Sequence, residues 1–576
     1  MEREMDAEEH LMRELQNMLP YQLQRDDTPW QVKMEFYLAM LDPSQFTLMQ
    51  NKFIEGTRIV QFLRITTSHS MLSSQMPLPQ FISEFRIMER LSALLKFLTQ
   101  IDDSHPFAAS AHGFLYELVW VLLNYSSEEN ESGVCQQITD PQYEILELLS
   151  HFLEISSEDI KYNIFWILSN ILGERNWELS KQILNKTQLL DYLADLNNKL
   201  NGNSRMKYIL PWVCCNLIHF QEYLTYEQVQ VVIRALLTLT ENLESEGSQK
   251  KKQSIAADII NCLIDILKYD TSHFDQIMLF DINYLLQLSL SSEKFETIRP
   301  GLKLFGQLMS MNDSQSAQIY EKFPDIHKFI VQNILTIDLN PDGSNFTEVS
   351  VEIKKRKILI KEGLWGLSNV AACPPFILEH LLQDNVAECV VKIAQNVSGR
   401  YNEIFSEAMY FLTNLVTNCT KTQIRQLLHR DVVLLLIRCL DSNYLERRLL
   451  ENNLEAIGRY LEYDRNAGLQ GEASIRDFFE ASGGLDSLYK YFDCQIFELY
   501  SLAQDLNERY FTNNDILQDD IFSQQYQNNI NIYDDQRDPP SDGDYDDQIN
   551  QDIGPQQNDA RYQGPGQMNM NNGFNI

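Results

Sequence analysis

The chain has 576 residues, 44% of them hydrophobic, which is too long for one compact core and apolar enough to fold over most of its length. Its 81 acidic against 47 basic residues give a formal charge of −34. That balance excludes nucleic acid as the expected partner, because phosphate binding needs a basic footprint, and it disfavours anionic membrane while favouring basic partners.

Residues 1–46 form a polar acidic segment, and the spacing predicts a short helix around Glu8–Leu19 stopped by Pro20. The opening MEREMDAEEHLMREL is charged from the start and has no apolar h-region, so no secretory signal is expected. From 47 to 511 apolar residues recur with helical period and strand patterns are scarce. Polar breaks at 126–133, 201–204, 244–252 and 340–345 make the helices short and numerous, as in armadillo or HEAT solenoids. No uninterrupted apolar stretch approaches the ~20 residues of a membrane span. The nine cysteines are scattered, form no C-x-x-C and are joined by no histidine pair at zinc spacing, so neither a metal nor a cofactor is expected. They read as small core residues of a reducing compartment. Residues 512–576 are rich in Asn, Gln and Asp and predict a disordered acidic tail.

Within the helical region four tryptophans are followed four residues later by an asparagine: Trp120/Asn124, Trp166/Asn170, Trp212/Asn216 and Trp365/Asn369. The first three tryptophans stand 46 residues apart, and 45 residues after Trp365 come Tyr410 and then Asn414. An i, i+4 pair shares one helix face, so each pair sets an aromatic ring beside a carboxamide. Asn163, Trp166, Asn170 and Glu174 continue one stripe, as do Glu117, Trp120, Asn124 and Glu128, and Glu407, Tyr410 and Asn414. Stacked repeats would line these stripes into a groove suited to an extended basic peptide. Aromatic faces take the stems and charges of Lys or Arg at ~0.5–2 kcal/mol per site. Carboxamides clamp a peptide backbone without reading its sequence, and carboxylates receive the cationic heads. Three or four such slots would supply ~8–10 kcal/mol, micromolar to tens of nanomolar affinity. A lone W-x-x-x-N is more often core than site; the recurrence at a solenoid's period is what favours a functional ladder.

At these residues the chain resembles importin-α (karyopherin-α), the armadillo adaptor for nuclear localisation signals. The resemblance covers roughly 47–511. It is carried by FWILSNILGE (165–174), KEGLWGLSNVAA (361–372), SEAMYFLTNL (406–415) and GGLDSLYKYFDCQIFELYSLAQDLNERYF (483–511). It implies an all-α, right-handed armadillo-repeat superhelical solenoid of about ten repeats. By the same resemblance a major groove falls on Trp120, Asn124, Asn163, Trp166, Asn170, Glu174, Trp212 and Asn216. Glu174 stands where the family has an aspartate, and Asn163 where it has glutamine. A minor groove falls on Trp365, Asn369, Glu407, Tyr410 and Asn414, with Lys303 and Gln307 replacing the family's arginine and asparagine between the grooves. The repeat near Cys262 and Ile266 lacks the aromatic, and Tyr410 offers a smaller stacking face than tryptophan.

The implied function is a nuclear import adaptor, shuttling between cytoplasm and nucleus, whose partners are proteins bearing Lys/Arg-rich signals, together with importin-β and the export receptor that recycles the adaptor. The family's N-terminus is strongly basic, whereas residues 1–46 carry only Arg3, Arg13, Arg25 and Lys33. A segment of that composition is expected neither to occupy its own groove nor to recruit importin-β in the usual way. That keeps open an armadillo scaffold or chaperone for basic proteins outside the import pathway. The tail reads either as solubilising disorder or as part of an export-receptor contact. No phosphate loop, nucleophile motif or metal spacing is present, so no catalytic residue and no enzyme activity is expected.

Overall fold

The computed structural model describes residues 2–512 apart from 26, 47–49, 69–75, 103, 128–132, 201–203, 337–350, 398–400 and 428. Glu128 and the acidic tail from 513 onward lie outside the described residues. Among those described, every regular element is helical. The fold is an all-α array of armadillo-like repeats, most of them a short first helix, a second helix and a longer third. One such repeat runs Val134–Thr139, Ile145–Ile155 and Glu158–Gly173.

Local sequence sets the turns of this repeat. Several second helices start directly after a residue held in the left-handed region: Arg86 before Ile87–Leu98, Glu144 before Ile145–Ile155, Asn385 before Val386–Val397 and Gly483 before Gly484–Tyr489. Only Gly483, at φ +82, meets that requirement without a Cβ. Side-chain caps start others: Asn176 accepts from the Glu178 N–H, and Thr225 makes a reciprocal capping box with Gln228.

The chain divides into two compact units, Met1–Pro324 and Asp325–Ile576. In the first, the third helices Gln50–Ser68, Ala108–Ser126, Glu158–Gly173, Leu210–Ile218, Gln249–Tyr269 and Phe295–Met309 pack each on the next. In the second, Val351–Ala371, Asn402–Asn418, Arg447–Ala467 and Phe497–Tyr510 do the same. A helix flanked on both sides in this way is buried around most of its circumference. In Glu158–Gly173 the residues Ile164, Phe165, Ile167, Leu168, Ile171 and Leu172 are all sealed from solvent, and from Tyr162 onward only Trp166, Asn170 and Gly173 stay partly open. The sequence pattern predicted one apolar stripe; the neighbours on either side turn it into an almost complete sleeve.

The N-terminal segment is folded onto the first unit. Its helix spans Glu2–Met18, longer at the start than the sequence predicted, with Pro20 just beyond its end. This helix packs on Gln50–Ser68 with Leu11, Leu15 and Leu19 buried. Tyr37, from the Trp30–Ala39 helix, donates its hydroxyl to the Leu15 carbonyl at 3.0 Å, and Arg58 pairs with Glu14 at 2.8 Å. Among the described residues no helix is long and apolar enough to cross a membrane, and no cluster of His, Cys, Asp or Glu is arranged to hold a metal.

Candidate functional site

Three successive third helices of the first unit carry the first three Trp/Asn pairs, and the indoles of Trp120, Trp166 and Trp212 are each half-buried on the strip left open between their neighbours. The asparagines do two jobs at once. Asn124 Nδ2 donates to the Arg64 carbonyl at 3.1 Å, and Asn170 Nδ2 to the hydroxyls of Ser126 and Ser127 at 3.0 Å each. Asn216 Nδ2 reaches the Ser169 carbonyl at 2.9 Å and its Oγ at 3.0 Å. Each amide nitrogen is therefore tied to the preceding third helix or to the turn that ends it. What remains for a ligand is the carboxamide oxygen, which accepts no hydrogen bond from the described residues. The sequence predicts a clamp with donor and acceptor both free; the structure commits at least one N–H of each amide to the neighbouring helix and leaves the acceptor open.

A row of tyrosines backs the indoles. Tyr116 meets Trp120 edge-on at 5.4 Å and 78°, and Tyr162 meets Trp166 at 6.0 Å and 88°. Tyr208 holds the same place four residues before Trp212. Tyr116, Tyr162 and Tyr208 stand 46 residues apart, the same spacing as the tryptophans, so Y-x-x-x-W-x-x-x-N was present in the sequence and only its second half was read as a site. T-shaped contacts of this kind favour one ring orientation, which fixes the plane that a ligand meets.

Charges of both signs flank the row. Arg205 lies 5.0 Å over Tyr162 and is ion-paired to Asp159. Tyr208 donates to Glu246, which also pairs with Lys207 at 3.0 Å and accepts from the Ser248 N–H at 3.1 Å. Burial acts to raise the Glu246 carboxyl, but the hydrogen bonds from Tyr208, Lys207 and the Ser248 N–H hold it down to about 2. Glu174 caps the Trp166 helix, half-buried, and desolvation raises its carboxyl against the pull of Cys135. Asn163 lies deeper than Trp166 and Asn170: it is buried and its Nδ2 makes no hydrogen bond.

Forty-six residues beyond Trp212 and Asn216 the Gln249–Tyr269 helix presents Asp258 and Cys262, so the aromatic row ends there. Lys303 and Gln307 follow on Phe295–Met309, both half-buried, in the first unit with the major-groove set. The other minor-groove residues belong to the second unit. There Trp365 and Asn369 lie on Val351–Ala371, and Glu407, Tyr410 and Asn414 on the adjacent Asn402–Asn418, all half-buried. Asn414 repeats the staple, donating to the Ser368 carbonyl at 3.0 Å. The Tyr410 hydroxyl donates to Glu446 at 3.0 Å, and burial with that carboxylate pushes the phenol well above its ordinary range.

No family model matches the sequence, and no curated protein matches it. Solved structures do. An engineered protein of known structure aligns with a TM-score of 0.59 at 17% identity, covering 83% of this chain and 99% of its own. A designed armadillo repeat protein in complex with the peptide (KR)4 has a TM-score of 0.31 at 18% identity, over 52% of this chain and 99% of its own. A further set of computationally designed armadillo repeat proteins for modular peptide recognition gives 0.30 at 17%, over 52% and 99%. At 17% identity the first of these likenesses speaks to the fold alone, and at TM-scores near 0.3 the other two carry no argument. The chain is an armadillo-like repeat protein, and its ladder is a strip of aromatic rings and carbonyl acceptors along stacked third helices.

Proposed function

We propose that this protein is a binding scaffold without catalytic activity, one that takes extended Lys/Arg-rich segments along the Trp/Asn ladder, and that these segments are nuclear localisation signals. One observation carries the reading. On three successive packed helices a half-buried indole, held edge-on by a tyrosine at the first two, sits one turn from a carboxamide whose N–H is fixed and whose oxygen is open. An extended peptide presents backbone N–H groups in a repeating row, which a line of fixed acceptors matches, while indole faces attract cationic side chains. The net charge of −34 draws basic segments toward the molecule. In this reading the protein is an import adaptor moving between cytoplasm and nucleus, with importin-β, engaged otherwise than through a basic N-terminal arm, and the export receptor as further partners.

The test is a fluorescence-anisotropy titration of a labelled Lys-rich signal peptide at several salt concentrations. Affinity should fall as added salt shortens the Debye length from ~8 Å, and it should collapse in Trp166→Ala/Asn170→Ala. Unchanged affinity in that variant sinks the groove assignment. A second reading, a scaffold or chaperone for basic proteins outside the import pathway, is favoured by the N-terminal segment. Helices Glu2–Met18 and Trp30–Ala39 bury Leu11, Leu15, Met34, Tyr37 and Leu38 against the first unit, and the segment carries few basic residues. Affinity purification from cells separates the two, since only the first predicts co-purified importin-β.

A further inference from the structure

The Trp120 rung of the ladder is already occupied by a side chain of the protein itself. The Arg64 guanidinium lies over the Trp120 ring, 3.9 Å from its centroid. Its Nε is 3.1 Å from Glu117 Oε2, and the other oxygen of Glu117 accepts from Gln61 Nε2 at 2.9 Å. The Arg64 carbonyl in turn accepts from Asn124. Arg64 therefore meets this rung as a ligand arginine side chain would, with its cation on the indole and a carboxylate beside it, while its carbonyl takes the staple that each rung makes to the preceding helix. Its side chain is 22% exposed and that of Glu117 only 11%, so the pair is shielded well enough to hold its place.

We propose that Arg64 closes the Trp120 rung to incoming side chains, so that a bound basic segment is read from Trp166 onward and Arg64 sets the end of the footprint. The proposal rests on the peptide-binding reading above. It follows from simple competition. A ligand cation reaching Trp120 must first displace a guanidinium that is tethered, ion-paired and partly desolvated, and the effective concentration of a tethered group exceeds that of any free peptide. Tyr116, edge-on behind Trp120, then holds the ring for Arg64 and not for a ligand.

The experiment titrates fluorescein-labelled hexalysine with the full chain and four variants. Trp166→Ala should lose roughly ten-fold, and Trp120→Ala clearly less than that. Arg64→Met, which keeps the stem and removes the charge, should gain about three- to ten-fold by opening a slot. In Arg64→Met/Trp120→Ala that gain should vanish. Should Arg64→Met prove unstable because it strands the Glu117 carboxylate, Arg64→Met/Glu117→Gln carries the same comparison without a buried unpaired charge. If Trp120→Ala weakens binding as much as Trp166→Ala, or if the gain survives loss of Trp120, the rung is not closed by Arg64 and the inference falls. If neither Trp166→Ala nor Trp120→Ala alters binding, it is the peptide-binding reading that has failed, and the inference with it.

Discussion

The two units carry the same Trp/Asn device in different surroundings. In the first, Trp120 and Trp166 are each backed by a tyrosine one turn earlier, and three rungs follow on adjacent helices. In the second, the position before Trp365 is Lys361, which pairs with Glu403 at 3.8 Å, and the one before Tyr410 is Ser406. The Trp365 helix also begins with Lys354, Lys355, Arg356 and Lys357, the last lying 4.1 Å over Tyr401. One helix further on, 45 residues beyond Tyr410 and Asn414, stand Glu455 and Arg459; Arg459 takes over the staple by donating to the Cys419 carbonyl at 3.1 Å. The staple thus survives where the stacking face does not. Holding repeats together needs only a donor of the right length, whereas holding a cation needs an oriented ring and a negative setting, and the first unit meets the second demand better.

The largest expected difference lies in peptide affinity. Trp166→Ala/Asn170→Ala removes a stacking face and an acceptor, together roughly 2–3 kcal/mol, or some 30- to 150-fold in affinity for a Lys-rich peptide. Trp365→Ala/Asn369→Ala should cost less than about five-fold, because a cation there competes with the helix's own lysines. Anisotropy titrations of the two variants side by side check this, and equal losses would erase the ranking of the two ladders.

The staples predict a smaller difference in stability. Asn216, 9% exposed, makes two bonds to Ser169, whereas the half-buried Asn414 makes one to Ser368. Asn216→Ala should open the neighbouring amides by about 1–3 kcal/mol and Asn414→Ala by about 0.5–1.5 kcal/mol. Hydrogen exchange over 158–173 and 351–371, the helices that accept the two staples, reads each locally, which matters in a chain of repeats that need not unfold as one. Identical exchange in both variants would mean that the carboxamides are not what ties the helices.

Most of the frame of the ladder could be read in advance. The interval of 46 residues and the i, i+4 offset determine that Trp120, Trp166 and Trp212 share an open strip, because a helix converts spacing directly into a face. What escaped was whatever depends on the neighbouring helix. Nothing in the Gln50–Ser68 segment marks Arg64 as a partner of Trp120, since that helix lacks the Trp/Asn pair and the contact is made across repeats. The use of each asparagine N–H was hidden for the same reason: its acceptor sits on the previous repeat, near the end of a helix. The tyrosine row was legible and passed over, because a tyrosine in an apolar run looks like core until its edge is seen against an indole.

Glu174 sharpens the comparison through pH. Desolvation raises its carboxyl above the ordinary 4.5, so the folded free protein takes up a proton there at a higher pH than an ordinary glutamate would. A cationic side chain bound beside it favours the ionised form, so ligand and proton compete. Peptide affinity should therefore weaken as pH falls, beginning above 4.5, by a several-fold change that Glu174→Gln abolishes by starting weak and staying flat. A profile unchanged by Glu174→Gln would remove this carboxylate from the groove.

The smallest effect is the most direct test of what separates the units. If an oriented ring in a negative setting is what the second ladder lacks, Lys361→Tyr supplies both changes at once: a tyrosine one turn before Trp365, as at Trp120 and Trp166, and one charge fewer. The Lys361–Glu403 pair is long and its partners are 37% and 65% exposed, so its loss should cost the fold little. Binding of a Lys-rich peptide to a chain already carrying Trp166→Ala/Asn170→Ala should then improve by about two- to four-fold, a stacking contribution at the lower end of the usual range. Lys361→Ala removes the charge without adding the ring and should recover only part of that gain. If the two substitutions act alike, charge alone distinguishes the ladders, and the tyrosine row of the first unit belongs to packing and not to recognition.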